Sequence, residues 1–490
     1  MTLGSAWSVG LSGLSTAADQ IALVSRNVSR AGDADATRKI AAQTTNANGT
    51  VSIARIDRTA ERALLEGVLS RRGEAGHETA IAAALDRLHD IVGDPELESS
   101  PAAIVATIEA ELRVFAADPS NEAAGRAAVA AAGDLARTLN AASAEVSAVR
   151  DDADRAIVEK VESINRSLAE LEAVSRDIRT AVGRDGDITD LLDHRDAILK
   201  SMSREIGIRT IVRDASDIVV YTDGGVTLFE AVAREVTVTP SAPLGPASTG
   251  AQILVDGVEV TGLNAVMPLR SGTLLGLVEI RDVIVPTFGR QLDEIARGLI
   301  ETFRDEAKAG TGKPAIPGLF TSEAGTIPPS GSATPGLAAL LTVHAAIDPA
   351  KGGDVRYLRD GGASAPGDPD YDTNPARSAG HSARLLELVA AISTARNFDP
   401  EAGLGATANL RDFAAASVGW LEERRQVTSD RTELTRAVSD RAEASLLSRA
   451  GINLDQEMAD LLRFEQSFQA SSRLIATVDQ MIRTLIEATR

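Results

Sequence analysis

Asn453-Leu-Asp-Gln-Glu-Met-Ala-Asp-Leu-Leu-Arg-Phe-Glu-Gln-Ser-Phe-Gln-Ala-Ser-Ser-Arg-Leu-Ile-Ala-Thr-Val-Asp-Gln-Met-Ile-Arg-Thr-Leu-Ile486 decides the fold. Alternating steps of three and four residues land on Leu461, Phe464, Phe468, Ser471, Ile475, Val478, Ile482 and Leu485, with Ser471 the one polar position. That is a coiled-coil seam. Asn453 is suited to cap the helix with Gln456 three residues on. Asp455 and Glu457 match the positive end of the dipole, and Arg483 and Arg490 the negative end. At ~1.5 Å per residue the helix runs roughly 50 Å, too long for one small domain to cover. It needs a partner helix.

The other end of the chain supplies one. The same walk gives Leu3, Trp7, Gly10, Leu14, Ala17, Ile21, Val24 and Val28, broken only at Gly10. Two distant helices with matching seams pair with each other, with neighbouring copies, or with both. Gly32 and the polar run Asp33 to Thr37 stop the first helix. Gln43 to Thr50 reads as a loop, and Val51-Ser-Ile-Ala-Arg as a short strand.

Inward from these ends, Glu61 to Ser147 is helical and alanine-rich, broken at Gly93-Asp-Pro95, Ser99-Ser-Pro101 and Asp118-Pro119. A separate long helix is expected over Asp151 to Val182, ending at Gly183, and another over Asp187 to Ile206. Strands follow at 208–212, 218–221 and 226–229, with Asp223-Gly224-Gly225 as a turn. A tight hairpin is expected around Asp256-Gly257. Helix returns over Leu274 to Ala309, kinked at Pro286. Residues 310–380 are Gly-, Pro- and Ser-rich loop with possible strand at Leu337 to Val343, and helices resume at Arg377 to Ala395 and Asn409 to Arg449.

The expected fold is mainly α with a β-rich insertion: an elongated, nested helical bundle with terminal coiled-coil helices and a central β-rich domain. Residues 1–45 with 451–490 form the terminal domain. Residues 46–206 with 272–310 and 377–450 form the helical bundle, and 207–271 with 311–376 the β-rich and loop domain. Nesting puts both termini at one end.

Composition narrows function. Fifty basic against seventy acidic residues leave a formal charge of −20, which repels a polyphosphate backbone, so nucleic acid is a poor partner. The excess is not uniform. Residues 1–60 carry Arg26, Arg30, Arg38, Lys39, Arg55 and Arg58 against Asp19, Asp33, Asp35 and Asp57, so the surplus acid lies in the middle. Aromatics at 3% argue against aromatic-lined ligand pockets. The absence of cysteine excludes disulfides and thiolate metal sites. Neither a cleaved signal nor membrane insertion is expected.

Little nominates an active site. No two of the histidines 77, 89, 194, 344 and 381 lie three or four apart, which excludes a two-histidine metal site on one helix. His194 in Asp190-Leu-Leu-Asp-His-Arg-Asp196 suggests acid–base work, but reads more simply as a solvated helix face with Arg195 screening the acids. Asp368-Pro-Asp370-Tyr-Asp372-Thr-Asn374 imitates a calcium loop, yet Thr373 and Ala379 stand where glycine and glutamate are required. Catalytic, cofactor and metal residues are therefore expected to be none.

Gly451 to Ile475, Ser12-Gly-Leu-Ser15, Asn27, Ala117-Asp-Pro119 with Arg126, Asp190 to Asp196, and Ser271-Gly-Thr-Leu-Leu-Gly-Leu-Val-Glu-Ile-Arg-Asp282 together resemble the flagellar hook-associated protein 1 family. After Asn27 that family usually continues toward Asn-Thr-Pro-Gly-Tyr, whereas this chain reads Gly32-Asp-Ala-Asp-Ala36. The resemblance implies a non-enzymatic subunit of the bacterial flagellum, exported unfolded through the type III channel to the hook–filament junction. Its implied partners are copies of itself in a ring, hook protein, the next hook-associated junction protein, an export chaperone and the export apparatus. The expected assembly seam is Leu3, Trp7, Leu14, Ile21, Val28, Leu461, Phe464, Phe468, Ile475, Val478, Ile482 and Leu485. The alternatives are another axial protein of hook or rod type, or a coiled-coil enzyme using Asp193 and His194.

Overall fold

The computed structural model describes residues 3–92, 100–214, 217–241 and 243–488. The expected break at Gly93-Asp-Pro95 and the terminal Arg490 lie outside these residues. The chain opens with helix α1 (Leu3–Ser29) and an antiparallel hairpin, β1 (Lys39–Thr45) and β2 (Val51–Arg58), bulged between Ala42 and Gln43. The stretch 43–50, read above as loop, is thus the end of β1 and its turn.

Helix α2 (Arg62–Val92) precedes α3 (Pro101–Ala117), which Ser100 caps by accepting from the Ala103 amide at 3.3 Å, with Pro101 in the first turn where no amide is needed. Helix α4 (Glu122–Val182) starts at Asn121, whose side chain accepts from the Ala123 and Ala124 amides, and runs 61 residues to Gly183. At ~1.5 Å per residue that is about 90 Å. The two helices expected across Ser147–Asp151 are therefore one, because nothing between them breaks the hydrogen-bond ladder and both halves bury a continuous stripe.

Helix α5 (Thr189–Glu205) leads into a four-stranded antiparallel sheet in the order β3 (Ile208–Val212), β4 (Ile218–Thr222), β5 (Thr227–Glu230), β6 (Val232–Ala233). A second small sheet holds β7 (Val236–Thr237), β8 (Leu254–Val255) and β9 (Val258–Glu259). Its turn has positive φ at both Asp256 (50°) and Gly257 (78°), the geometry that makes Asp-Gly a hairpin signal.

Helices α6 (Thr273–Glu279) and α7 (Val285–Thr302) are joined by a π-turn over Ile280–Ile284. The turn comes just before Pro286, which has no amide to offer the Arg281 carbonyl; Arg150 Nε donates to that carbonyl instead, at 3.0 Å. The kink expected at Pro286 is resolved as this π-turn.

The remaining elements are short, apart from the last two. β10 (Phe320–Thr321) pairs with β11 (Thr342–Val343) after a single turn of helix, α8 (Leu337–Leu340), where strand was expected. Then come α9 (Arg356–Asp360), α10 (Ala383–Ile392), the β12 (Arg396–Asn397) and β13 (Thr407–Ala408) pair, α11 (Leu410–Ala450) and α12 (Leu454–Ala488). The molecule is mainly α with small antiparallel sheets in its middle.

Two hydrophobic cores share α4. Its first half, Ala124 to Ala153, packs with Phe115 of α3, Phe288 and Leu292 of α7, Leu388 of α10 and Phe413 of α11. Its second half, Ile157 to Ile178, packs with Leu69 of α2, Met202 of α5 and the strand residues Val220, Phe229 and Val255. Residues 207–271 thus belong to the second core. Phe320, Leu337, Val343 and Leu358 belong to the first. The single β-rich domain expected from 207–271 with 311–376 is accordingly divided, because each segment covers a different half of α4.

At the boundary lies a buried ion network. Arg281, fully buried, donates to Asp154 (2.6 Å), Asp282 (2.8 Å) and the Ala251 carbonyl (2.9 Å). Along the flank, α2 and α11 pack antiparallel, with Arg72 bonded to Glu443 at 2.6 Å and His89 to Glu422.

Candidate assembly interface

Helices α1 and α12 pack antiparallel. Gly10 faces Leu474 and Ile475, Gly13 faces Ser471, and Asn27 bonds Glu457. A Cβ on Gly10 would stand 2.7 Å from Leu474 Cδ2, and one on Gly13 2.9 Å from Ser471 Oγ. The two glycines let the backbones approach, and the register they set brings Ala17 level with Phe468 and Leu3 level with Ile482. The start of α1 and the end of α12 lie at the same tip of this pair.

The expected seam residues fall unevenly. Val478 is buried, while Leu3, Leu14, Ile21, Val28, Leu461, Phe464, Phe468, Ile475 and Ile482 are half-buried. Trp7 and Leu485 are exposed, at 36% and 59%. On α1 the buried set also takes in Thr16, Gln20, Leu23 and Asn27, which heptad counting passes over. Two of its polar positions hold the β1–β2 hairpin: the Val51 amide donates to Ser12 Oγ at 3.2 Å, and Thr16 Oγ1 donates to the Val51 carbonyl at 3.0 Å. The Ser12-Gly13 pair of the N-terminal motif thus serves two contacts at once. Outside the seam, Leu11, Leu462, Leu474, Met481 and Ile486 are exposed. A two-helix pair covers one face of each helix and leaves these apolar side chains in water.

The base of the pair is polar and closed. Glu457, 1% exposed, accepts from Arg38 Nε at 2.6 Å and from Asn27 Nδ2 at 2.9 Å. Arg38 also bonds Asp460 at 2.7 Å, and Asn27 Nδ2 also donates to the Lys39 carbonyl at 3.0 Å. Asn453 caps α12 by accepting from the Asp455 (3.0 Å) and Gln456 (3.2 Å) amides.

Below the clamp, the acids of α5 and its approach meet the cations of the N-terminal segment. Arg26 bonds Asp187 at 2.9 Å, Arg30 and Lys39 bond Asp190, and Arg58 bonds Asp196 at 2.7 Å and Asp193 at 3.3 Å. Asp193 also accepts from the Thr37 amide (3.2 Å) and hydroxyl (2.5 Å). Burial acts against charge at Asp187, but the Thr189 and Arg26 bonds outweigh it and hold the carboxyl below its usual range. Burial lowers Lys39, with Asp193 opposing. The solvated, Arg195-screened face expected at Asp190–Asp196 is therefore corrected. Asp193 is 2% exposed and pairs across the joint, while His194 points away and meets Glu170 at 2.9 Å. The acids at 190, 193 and 196 at three-residue spacing, with Asp187 just ahead of them, set against the cationic surplus of residues 1–60, were the signal available.

Behind these ion pairs lies a cavity of about 620 Å³ lined by Ala36, Ala60, Leu65, Leu199, Leu447 and Gly451 among others. Neither Asp193 nor His194 lines it. The calcium-like loop spends its acids on cations: Lys313 sits 2.6 Å from Asp368 and 2.9 Å from Asp370, and Arg377 sits 3.1 Å from Asp372. Among the described residues no cluster of metal-ligating side chains occurs, and no helix is long and apolar enough to cross a membrane.

The family model described as "Flagellar hook-associated protein FlgK helical domain" matches residues 85–318, and "Flagellar basal body rod FlgEFG protein C-terminal" matches residues 444–488. The first spans most of both α4-centred cores, and the second covers α12. No curated protein matches. Among solved structures, the flagellar hook junction protein FlgK from Burkholderia pseudomallei is similar at 19% identity and a TM-score of 0.42, over 52% of this chain and 46% of that protein. The chain thus spans about half the length of that relative. Taken together, the helical-domain and C-terminal matches identify the chain as a member of the flagellar hook-associated protein 1 family.

Proposed function

We propose that this protein is a structural, non-enzymatic subunit of the bacterial flagellum that joins hook to filament and polymerises through its terminal helices. The observation that carries the reading is the terminal pair itself. The partner helix covers its seam in part, and Leu11, Leu462, Leu474, Met481 and Ile486, together with the seam residues Trp7 and Leu485, are exposed on a thin two-helix unit. Helices of this kind are marginal alone and gain order when neighbouring copies cover them. The seam residues Leu3, Trp7, Leu14, Ile21, Val28, Leu461, Phe464, Phe468, Ile475, Val478, Ile482 and Leu485 shape the pair, and the outward residues meet the next copy.

In this reading the partners are copies of the chain in a ring, hook protein on one side and the next junction protein on the other. Delivery is through the flagellar export apparatus with its chaperone, to the outside of the cell. A hook or rod subunit is the second reading, favoured by the rod-protein description of the C-terminal match. Deleting the gene separates them. Hooks without filaments, with filament protein released into the medium, support the junction; absence of hooks supports the second reading.

A further inference from the structure

Residues 262–267 stand out from the second core as a loop with an apolar tip. Leu263 is fully in water, Val266 is 87% exposed and Met267 44%. The feet of the loop are fixed. The Leu269 amide donates to the Val260 carbonyl and the Val260 amide to the Ile253 carbonyl, each at 2.9 Å, and the hydroxyl of buried Thr261 donates to Gln252 Oε1 at 3.2 Å. Gly224 lies against the loop, where a Cβ would stand 2.4 Å from the Pro268 carbonyl oxygen and 2.6 Å from that of Met267. A loop pinned this closely presents its side chains in one place, and three apolar ones together in water mark a contact surface.

On the first core, α4 and the segment that follows α8 enclose a groove of about 450 Å³, lined by Val129, Gly133, Ala136, Leu341 and Val343. Glycine inside a helix is less favourable than alanine. Gly125 has a reason within the subunit, since a Cβ there would press on the Phe115 ring at 3.0 Å. Gly133 has none: the nearest atom to a Cβ there is Arg137 Nη1 at 3.5 Å, an ordinary contact. Its bare backbone leaves the groove open to a side chain from outside. Arg126, Arg137 and Lys351 line the same groove against Asp134 and Asp348, a positive balance, whereas the hairpin beside the loop exposes Asp256 and Glu259.

We propose that the 262–267 loop of one copy seats in the α4 groove of the next, with Leu263 and Val266 as anchors over Gly133. Knob and socket lie on different cores of the same chain, so the contact is head-to-tail, and a row of copies keeps one open knob and one open socket until a ring closes them. An apolar anchor in a pocket with charges at its rim is the common division of labour in an interface. The inference rests on the reading that the chain assembles with copies of itself, and adds which surfaces of the body meet.

The chain has no cysteine, so single ones report chosen contacts. Val266→Cys and Ala130→Cys, on two full-length copies co-expressed in cells deleted for the gene, are treated with a short bismaleimide in purified flagella. A cross-linked dimer that requires both variants is expected, and Arg179→Cys, exposed at the other end of α4, gives none with Val266→Cys. Leu263→Asp in the first copy, or Gly133→Trp in the second, lowers the dimer by roughly tenfold, with the helicity of each subunit by circular dichroism unchanged. The chain present in flagella without this dimer overturns the proposal and leaves the assembly reading standing; its absence from flagella overturns both. A dimer that neither substitution lowers, or one of equal yield with Arg179→Cys, also overturns the proposal. So does a Val266→Cys product of another mass, which assigns the loop to a different protein.

Discussion

Replacing Glu457 by alanine removes one side chain and unties the base of the terminal helix pair. The carboxylate accepts two buried bonds, from Arg38 Nε at 2.6 Å and Asn27 Nδ2 at 2.9 Å. Bonds of a charged group contribute roughly 1.5–3 kcal/mol each. Arg38 keeps Asp460 and Asn27 keeps the Lys39 carbonyl, so part of the loss is recovered locally. A net cost of about 3 kcal/mol, roughly a hundredfold in the closing equilibrium, is expected. Hydrogen exchange on the full-length chain assembled with its own copies, where the pair is ordered, reads this directly, because local opening sets the protection of α1 amides. Protection across α1 should fall roughly a hundredfold while α4 is unchanged. Glu457→Gln, which keeps an acceptor but loses the charge, should fall about half as far on a logarithmic scale. A change below about threefold in α1, or an equal loss in α4, would refute the reasoning.

Three further outcomes are expected. Arg281→Met leaves Asp154 and Asp282 without their buried partner; breaking such a group costs about 3–5 kcal/mol, seen as a lower urea midpoint for both cores. Asp293 is buried, and burial lifts its carboxyl from 3.8 to about 6 against the pull of the Ala338 and Gly336 amides. The folded chain therefore holds this proton more tightly than the unfolded one, and stability falls by about 3 kcal/mol as pH rises from about 4 to about 6. Asp293→Asn should flatten that part of the stability–pH curve. Gly257→Val places a branched side chain at a φ of 78° and should cost about 1–3 kcal/mol in thermal unfolding of the second core.

The terminal helices are legible from the chain because their pairing depends on repeating side chains at heptad spacing, and Asn453 announces where α12 begins. The Asp256-Gly257 turn is legible for a similar reason: two positive φ values admit few residues. What sequence spacing conceals is partnership over long separations. Asp193 finds Arg58 and Thr37 far upstream, so a helix face that looks solvated is buried at a joint. The continuity of α4 is hidden in the same way, since the two stripes face different cores and look like two helices. The division of residues 207–271 from 311–376 follows from that continuity and could not be seen before it.

Between its caps α4 contains no proline, and its glycines, Gly125 and Gly133, both lie near its start. Its remaining length has no soft joint, and side chains clamp it on the first core, at the Arg281 network and on the second. A rod held at three levels passes twist along its axis without dissipating it in bending. Bending of the body is therefore expected to be smallest along α4, the longest element that both cores grip.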